Sequence, residues 1–203
     1  MAAPLLTLSV ALLVGTPGYA ELSRDAEKVP NLGRLLEGYL EDCQVDTPGF
    51  DKAGCEARAK AAQKKADGQL LEIELSELDG NLSFAGWDQR KQAFRLHLVP
   101  LFDERGLAMS VGKPKKLDAE GRPVLGNIPI WVKKPDGEPE LIFKKRLQRG
   151  MVRLALLVKP KRPWRMKRKQ GDDIRGMEVE LVALRLLAAR GGEILAEETY
   201  GRR

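Results

Sequence analysis

From residue 69 onward, successive segments of the chain alternate apolar and polar side chains with a period of two, which is typical of strands that bury one face. In the first such segment Leu71, Ile73 and Leu75 share one face, and Glu72 and Glu74 share the other. Half-buried strands separated by turn sequences predict an antiparallel sheet. The pattern predicts eight strands, at about 71–76, 82–87, 94–98, 107–112, 123–132, 151–164, 177–187 and 193–200.

Two helices are predicted before the sheet, in a helical part at about residues 21–67. Asn31 is placed to cap the first, which has an apolar stripe at helical spacing, and Asp51 the second, which runs to about Ala66. A short third helix is predicted at 139–149. The predicted class is therefore α+β, with helices first and a sheet part at about 69–200 that can curl into a sandwich or partial barrel.

The chain has two cysteines, Cys43 and Cys55, and a single histidine. Cys43 falls at the end of the first predicted helix and Cys55 in the early turns of the second. In an oxidising compartment a pair at this spacing is typical of a disulfide, which would join the two helices into a hairpin; the alternative is two buried thiols. A metal site is disfavoured, since there is no Cys-x-x-Cys motif and only one histidine.

The N-terminus has the features of a secretory signal peptide. Residues 5–14 form an apolar run, and helix breakers and small residues follow directly. The run matches the apolar core of a signal peptide and is shorter than the roughly 20 residues of a spanning helix. Residues 1–20 are therefore predicted to be removed, leaving residues 21–203 as one domain in the periplasm or outside the cell. The alternative is a buried apolar helix, because no Lys or Arg precedes the run.

Positive charge is concentrated in the middle of the chain. Residues 113–175 hold 19 Lys and Arg against 7 Asp and Glu, whereas residues 21–112 hold 12 against 17 and residues 176–203 hold 4 against 5. The net charge of +6 therefore originates entirely in the middle segment. A field of this kind predicts an anionic partner.

The densest part of this segment is residues 159–169, which we call the basic arm. Seven of its eleven residues are Lys or Arg and none is acidic. An extended arm would place Trp164 on one face and Arg165 on the other, offering an aromatic ring and a row of donors to phosphate or carboxylate. The alternative is a solvated hairpin whose charges only keep the protein soluble. The predicted anion-binding residues are Lys159, Lys161, Arg162, Trp164, Arg165, Lys167, Arg168 and Lys169.

Known catalytic motifs are not matched. His97 alternates with apolar residues and is predicted on the polar face of a strand, and no serine after the signal lies in a Gly-x-Ser-x-Gly turn. Residues 106–113 imitate a phosphate loop, but five residues separate the two glycines where the motif has four, and Pro114 stands in the Ser/Thr position. The sequence favours a non-enzymatic protein without a cofactor, a metal or catalytic residues.

Four short motifs fall within the predicted sheet part: Gly86-Trp87-Asp88, Phe94-Arg95-Leu96, Asp118-Ala119-Glu120-Gly121 and Arg149-Gly150-Met151-Val152-Arg153-Leu154. Together they resemble a family of exported bacterial proteins of unknown function. The resemblance covers most of residues 40–190 and implies an exported protein built as one domain. It implies no activity, cofactor or site.

These features together predict an exported, non-enzymatic envelope protein whose basic arm binds an anionic partner. Lipid head groups, lipopolysaccharide and cell-wall polymer are the anions that an exported protein meets, and export disfavours nucleic acid. A carrier of an apolar ligand is the alternative, because the apolar segment 177–187 would line a curled sheet. A hydrolase of unfamiliar type, with carboxylates assembled from distant residues, is a third interpretation. A large apolar cavity would favour the carrier, and a solid core the binding protein.

Overall fold

The computed structural model describes residues 17–43, 48–76, 78, 80–104, 106–134, 136–149, 151–169 and 171–200. The apolar run, and with it most of the predicted signal peptide, lies outside these residues. Across the described ranges, no helix is long and apolar enough to cross a membrane. The described chain contains four α-helices and ten strands, which confirms the α+β class. The helices are α1 (Tyr19–Leu22, followed by a 3₁₀ turn at Ser23–Asp25), α2 (Leu32–Tyr39), α3 (Lys52–Ala66) and α4 (Glu140–Gln148).

Both predicted helix caps are present. The Asn31 side-chain oxygen accepts a hydrogen bond from the Arg34 backbone N–H at 2.9 Å, which satisfies one of the donors left over in the first turn of α2. Asp51 caps α3 in the same way through the backbone N–H of Gly54, also at 2.9 Å. These caps explain why the two helices begin where the sequence predicts.

The predicted disulfide joins the two helices. Cys43 follows the end of α2 and is bonded to Cys55 in the first turns of α3, with 5.6 Å between their Cα atoms. Both residues are buried together with Ala59 in a small apolar cluster. Beside them, an ion pair of 2.9 Å between Arg58 and Glu41 also connects the helices. The cysteines are therefore a bridge and not a pair of thiols.

The strands form two sheets. In the described chain the larger sheet has seven strands and the smaller has three. In chain order they are β1 (Glu27–Val29), β2 (Leu71–Leu75), β3 (Leu82–Asp88), β4 (Ala93–Leu98), β5 (Leu101–Glu104), β6 (Leu107–Val111), β7 (Ile128–Val132), β8 (Val152–Met166), β9 (Ile174–Ala188) and β10 (Ile194–Thr199).

The larger sheet is organised around one long hairpin. β8 and β9 have 15 residues each and pair antiparallel from Val152↔Ala188 to Met166↔Ile174. The strand order is β1-β2-β8-β9-β6-β5. The first part of β9 pairs with β6 and its last part pairs with β10, so β9 has three neighbouring strands.

The smaller sheet is antiparallel, with the order β3-β4-β7. Pro129 lies in β7 at its edge, as a residue without an N–H donor requires. On the other edge, the register of β3 shifts between Phe84 and Gly86, which places Phe84 and Trp87 opposite Leu96 and Phe94 of β4.

One hydrophobic core lies between the two sheets. Leu96 and Ile130 of the smaller sheet and Leu154 and Leu156 of the larger sheet each have no exposed surface, and they belong to one buried cluster. α2 and α4 contribute the fully buried Leu36 and Phe143 to the same cluster. The sheets therefore form an open sandwich with helices, which is not closed into a barrel.

Two parallel strand pairs were not predicted. β1 runs parallel to β2, and β6 runs parallel to β9. The alternating pattern determines which face of a strand is buried, but it does not determine the neighbouring strand or its direction. β1 has only three residues and lies in the part predicted to be helical, because so short a segment gives no periodic signal. The strand predicted at 123–132 is confined to Ile128–Val132.

Candidate anion-binding cleft

The basic arm is the second half of β8 and the three residues that follow it. Within the strand, side chains alternate between the two faces of the sheet. Arg162 and Arg165 are exposed, whereas Trp164 is only 4% exposed. The arm is therefore part of the folded sheet, and its charged side chains lie on the outside.

Trp164 packs inside the protein. Its ring lies over Gly176, the residue opposite it in β9. It shares a buried cluster with Ala108 and Ile174. Its indole N–H donates a hydrogen bond of 2.9 Å to the Oγ of Ser110, which donates in turn to the Gly112 carbonyl at 2.8 Å. The aromatic residue predicted to contact an anion is thus engaged in the core.

The middle cations of the arm are compensated by acids of β9 and of the turn before it. Lys161 pairs with Glu180. Arg162 pairs with Glu178 at 2.7 Å, and Arg165 with Asp173, also at 2.7 Å. Lys159 is exposed on the same strand and lies opposite Glu180 in register. Antiparallel pairing brings acids that follow the arm in sequence alongside it, so this part of the arm has little net charge.

The C-terminal end of the arm lines a surface cleft, which we call the arm cleft. It has a volume of about 710 Å³ and lies between this end of the arm and a turn at residues 117–122. The cleft brings together three of the eight predicted residues, whereas the five others lie along β8. Its lining residues are Leu117, Asp118, Ala119, Glu120, Gly121, Arg122, Lys167, Arg168 and Lys169.

The turn that forms the opposite wall is held by its own hydrogen bonds. The Asp118 carboxylate accepts from the Arg122 backbone N–H at 2.7 Å, and the Asp118 N–H donates to the Arg122 carbonyl at 2.9 Å. Gly121 has φ +76°, a conformation that other residues adopt only with strain. The Arg168 guanidinium donates to the Gly121 carbonyl at 3.3 Å and so attaches the turn to the arm.

The cleft has an excess of positive charge. Its lining holds four cations against the two carboxylates of Asp118 and Glu120, and Asp118 already accepts the hydrogen bond within its turn. Among the described residues, no ion pair involves Lys167, Lys169 or Arg122. Lysine and arginine side chains grouped in this way provide donors for phosphate or carboxylate oxygens.

Arg122 was not predicted as a site residue. It lies within the positively charged segment 113–175 but 37 positions before the basic arm, to which the predicted site residues were confined. The available signal was the motif Asp118-Ala119-Glu120-Gly121, whose acid and glycine are typical of a tight turn. A turn shows that the chain reverses, but not which distant segment it meets.

The lone histidine lies on the outer face of the smaller sheet. His97 is half-buried, and the residues opposite it are Ser83 in β3 and Pro129 in β7, neither of them an acid. A histidine needs a carboxylate partner to act as the base of a Ser-His-Asp system. In the described part of the chain, no group of three or more His, Cys, Asp or Glu residues is placed to hold a metal ion.

We expect His97→Ala to change the free energy of unfolding by less than about 0.5 kcal/mol, as surface substitutions usually do. Urea titration of the purified protein measures this value. Leu96→Ala, one residue away and fully buried, is the control and should cost about 2–5 kcal/mol. A loss above 1 kcal/mol for His97→Ala would contradict its placement on a solvated face.

The comparison with protein families gives one result. A family model described as a family of unknown function, DUF6066, matches residues 1–198. No curated protein matches the chain, and no solved structure does.

Proposed function

We propose that this chain, which belongs to the family of unknown function DUF6066, is an exported, non-enzymatic envelope protein. It binds an anionic partner in the arm cleft. The observation that carries the proposal is the cluster of Arg122, Lys167, Arg168 and Lys169 around one cleft. The Cys43–Cys55 disulfide supports export, because such bonds persist in oxidising compartments.

The chemistry of the cleft fits phosphate-rich or carboxylate-rich ligands. Its cations come from two separate segments, the turn and the end of the arm, so a ligand would be held from two sides. The cleft is open to solvent and its cations are on exposed side chains. Such a site suits an extended surface or polymer, such as lipid head groups, lipopolysaccharide or cell-wall polymer.

The packing of the core favours this function over the apolar carrier. The inner face of β9 was the segment expected to line a ligand chamber. Its residues Met177, Val179, Leu184 and Leu186 are at most 1% exposed and belong to the same cluster as the inner face of the smaller sheet. The space between the sheets is thus occupied by the protein's own side chains.

Replacing Lys167 and Lys169 with glutamine should weaken binding to anionic vesicles by about 30-fold. Each cation near an anionic membrane contributes about 1 kcal/mol, and every 1.4 kcal/mol is a tenfold change in affinity. Vesicle co-sedimentation at low salt measures the effect. Vesicles of zwitterionic lipid test whether binding requires a negatively charged surface. Lipopolysaccharide in solution, measured separately, shows whether it is preferred to anionic lipid.

The matched control is Lys60→Gln/Lys64→Gln, which removes the same charge from the exposed face of α3. Its affinity should stay within about threefold of the wild type. Wild-type binding should also fall steeply between low salt and physiological salt, because exposed charges are screened over about 8 Å at 0.15 M. Equal losses for both double variants, or no binding by the wild type at low salt, would contradict the arm cleft as the site.

A further inference from the structure

Tyr19, in the first helix, is an integral part of the folded protein. Its side chain is 1% exposed and packs on the outer face of the larger sheet, against Leu157 of β8 and Ala183 of β9. The Tyr19 hydroxyl donates to a Glu72 carboxylate oxygen at 3.1 Å, and the Arg185 guanidinium lies 4.3 Å from the ring centroid. Burial, reinforced by the negative charge of Glu72, raises the pKa of the Tyr19 phenol.

The backbone nitrogen of Tyr19 meets a carboxylate. It donates a hydrogen bond of 2.9 Å to Oε1 of Glu197 in β10. The other carboxylate oxygen of Glu197 is held by Arg185, at 2.8 Å from Nη2 and 3.0 Å from Nε. Glu197 is therefore fixed by Arg185 with one oxygen directed at the nitrogen of Tyr19.

A mature chain that begins at Glu21 would lose all of these contacts. Removal of Tyr19 would expose Leu157 and Ala183. Glu72 would lose the hydrogen bond from the phenol, and the Arg185 guanidinium would lose its contact with the ring. A cut before Glu21 would also leave only two residues of α1. Ala20 is exposed and contributes nothing comparable.

We propose that a signal peptidase cuts the chain between Gly18 and Tyr19, so that the mature protein begins with Tyr19 and its α-amino group forms an ion pair with Glu197. The proposal rests on the export part of the proposed function and not on anion binding. The small residues that such a peptidase requires stand at Thr16 and Gly18, three positions and one position before this bond.

The reaction is the hydrolysis of one amide. Water adds its oxygen to the Gly18 carbonyl carbon, the C–N bond breaks, and the leader departs with a Gly18 carboxylate. The Tyr19 nitrogen becomes an amine, which binds a proton at neutral pH and then presents three donors and a positive charge to Glu197. The N–H groups of Glu21 and Leu22 lose the Gly18 carbonyl, but this end of the helix is exposed and water can replace it.

Expression of the full chain in a bacterium that exports it, followed by N-terminal sequencing and intact mass, tests the proposal. A mature chain that begins with Tyr19 supports it. A chain that begins with Glu21, or at another position, overturns it while export stands. A chain that keeps Met1 overturns both this proposal and export.

Two leader variants separate the competing cuts. Ala20→Leu puts a large residue directly before the Ala20–Glu21 bond, but after the Gly18–Tyr19 bond, so we expect unchanged processing. Thr16→Leu places a large residue three positions before the Gly18–Tyr19 bond, so processing should slow by at least tenfold in a pulse-chase experiment. The reverse pattern overturns the proposal.

The ion pair has its own measurement in the processed protein. Glu197→Gln removes the carboxylate that both Arg185 and the new N-terminus bind, so it should lower Tm by at least about 2–4 °C, the shift that 1 kcal/mol gives in a chain of this size. The control Glu56→Gln, on the exposed face of α3, should leave Tm within 1 °C. An equal Tm for Glu197→Gln and the wild type would contradict the pairing of the new N-terminus.

Discussion

Replacing Trp164 with alanine is expected to lower the free energy of unfolding by about 3–5 kcal/mol, the usual cost of truncating a buried aromatic residue. The ring fills the space over Gly176, and its loss leaves a cavity beside Ala108 and Ile174. The Ser110 hydroxyl also loses the hydrogen bond that it accepts from the indole N–H. Urea titration followed by circular dichroism gives the value, and vesicle co-sedimentation of the same variant gives its affinity.

The two measurements separate a core residue from a ligand contact. If Trp164 is a core residue, its replacement lowers the free energy of unfolding, and the variant binds vesicles with wild-type affinity under conditions in which it is folded. Wild-type stability combined with lost binding would contradict the burial of the ring.

Gly176→Ala tests the same packing from the other strand. A Cβ at this position would lie 2.1 Å from the Trp164 ring, which overpacks the site at a cost of about 1–3 kcal/mol. This cost should largely disappear in the Trp164→Ala background, since the two changes relieve each other. Additive losses would show that the residues are not in contact.

Replacing both cysteines with serine is expected to lower the free energy of unfolding by about 3 kcal/mol. Cys43 and Cys55 are 12 residues apart, and closing a loop of roughly this size restricts the unfolded chain by about that amount in the chain-entropy model. Urea titration of the double variant and of the wild type, each with and without reductant, measures the difference.

The reductant provides the control for this experiment. It should destabilise the wild type to the level of the Cys43→Ser/Cys55→Ser variant and leave the variant unchanged. Thiol titration of the unfolded, unreduced wild type should find no reactive thiol. Two reactive thiols per chain would contradict the bridge.

The sequence predicted the local features of the fold best. The caps at Asn31 and Asp51 use side-chain oxygens that bond to a backbone N–H three residues away, so the signal is contained within one turn. The disulfide follows from a single pair of cysteines. The parallel pairing of β6 with β9 joins Leu107 to Arg175, and no local pattern specifies a partner so far along the chain.

The candidate site was predicted only in part, for the same reason. The charge run identified Lys167, Arg168 and Lys169, which line the arm cleft, but also Lys161 and Arg162, which pair with acids of β9. Which cations remain uncompensated depends on the strand register. Arg122 comes from a distant turn, so only the tertiary structure shows it beside the arm.

The central position of β9 determines when the larger sheet can be completed. Three strands pair with it: β8 and β6, which precede it, and β10, which follows. A nascent chain that has emerged only as far as residue 173 can pair β1, β2 and β8 with one another and β5 with β6, but it cannot join these two groups. β9 joins the two groups through strands far away in the sequence, and such non-local pairing is slow. The larger sheet is therefore completed only after β9 and β10, close to the end of the described chain, have been made.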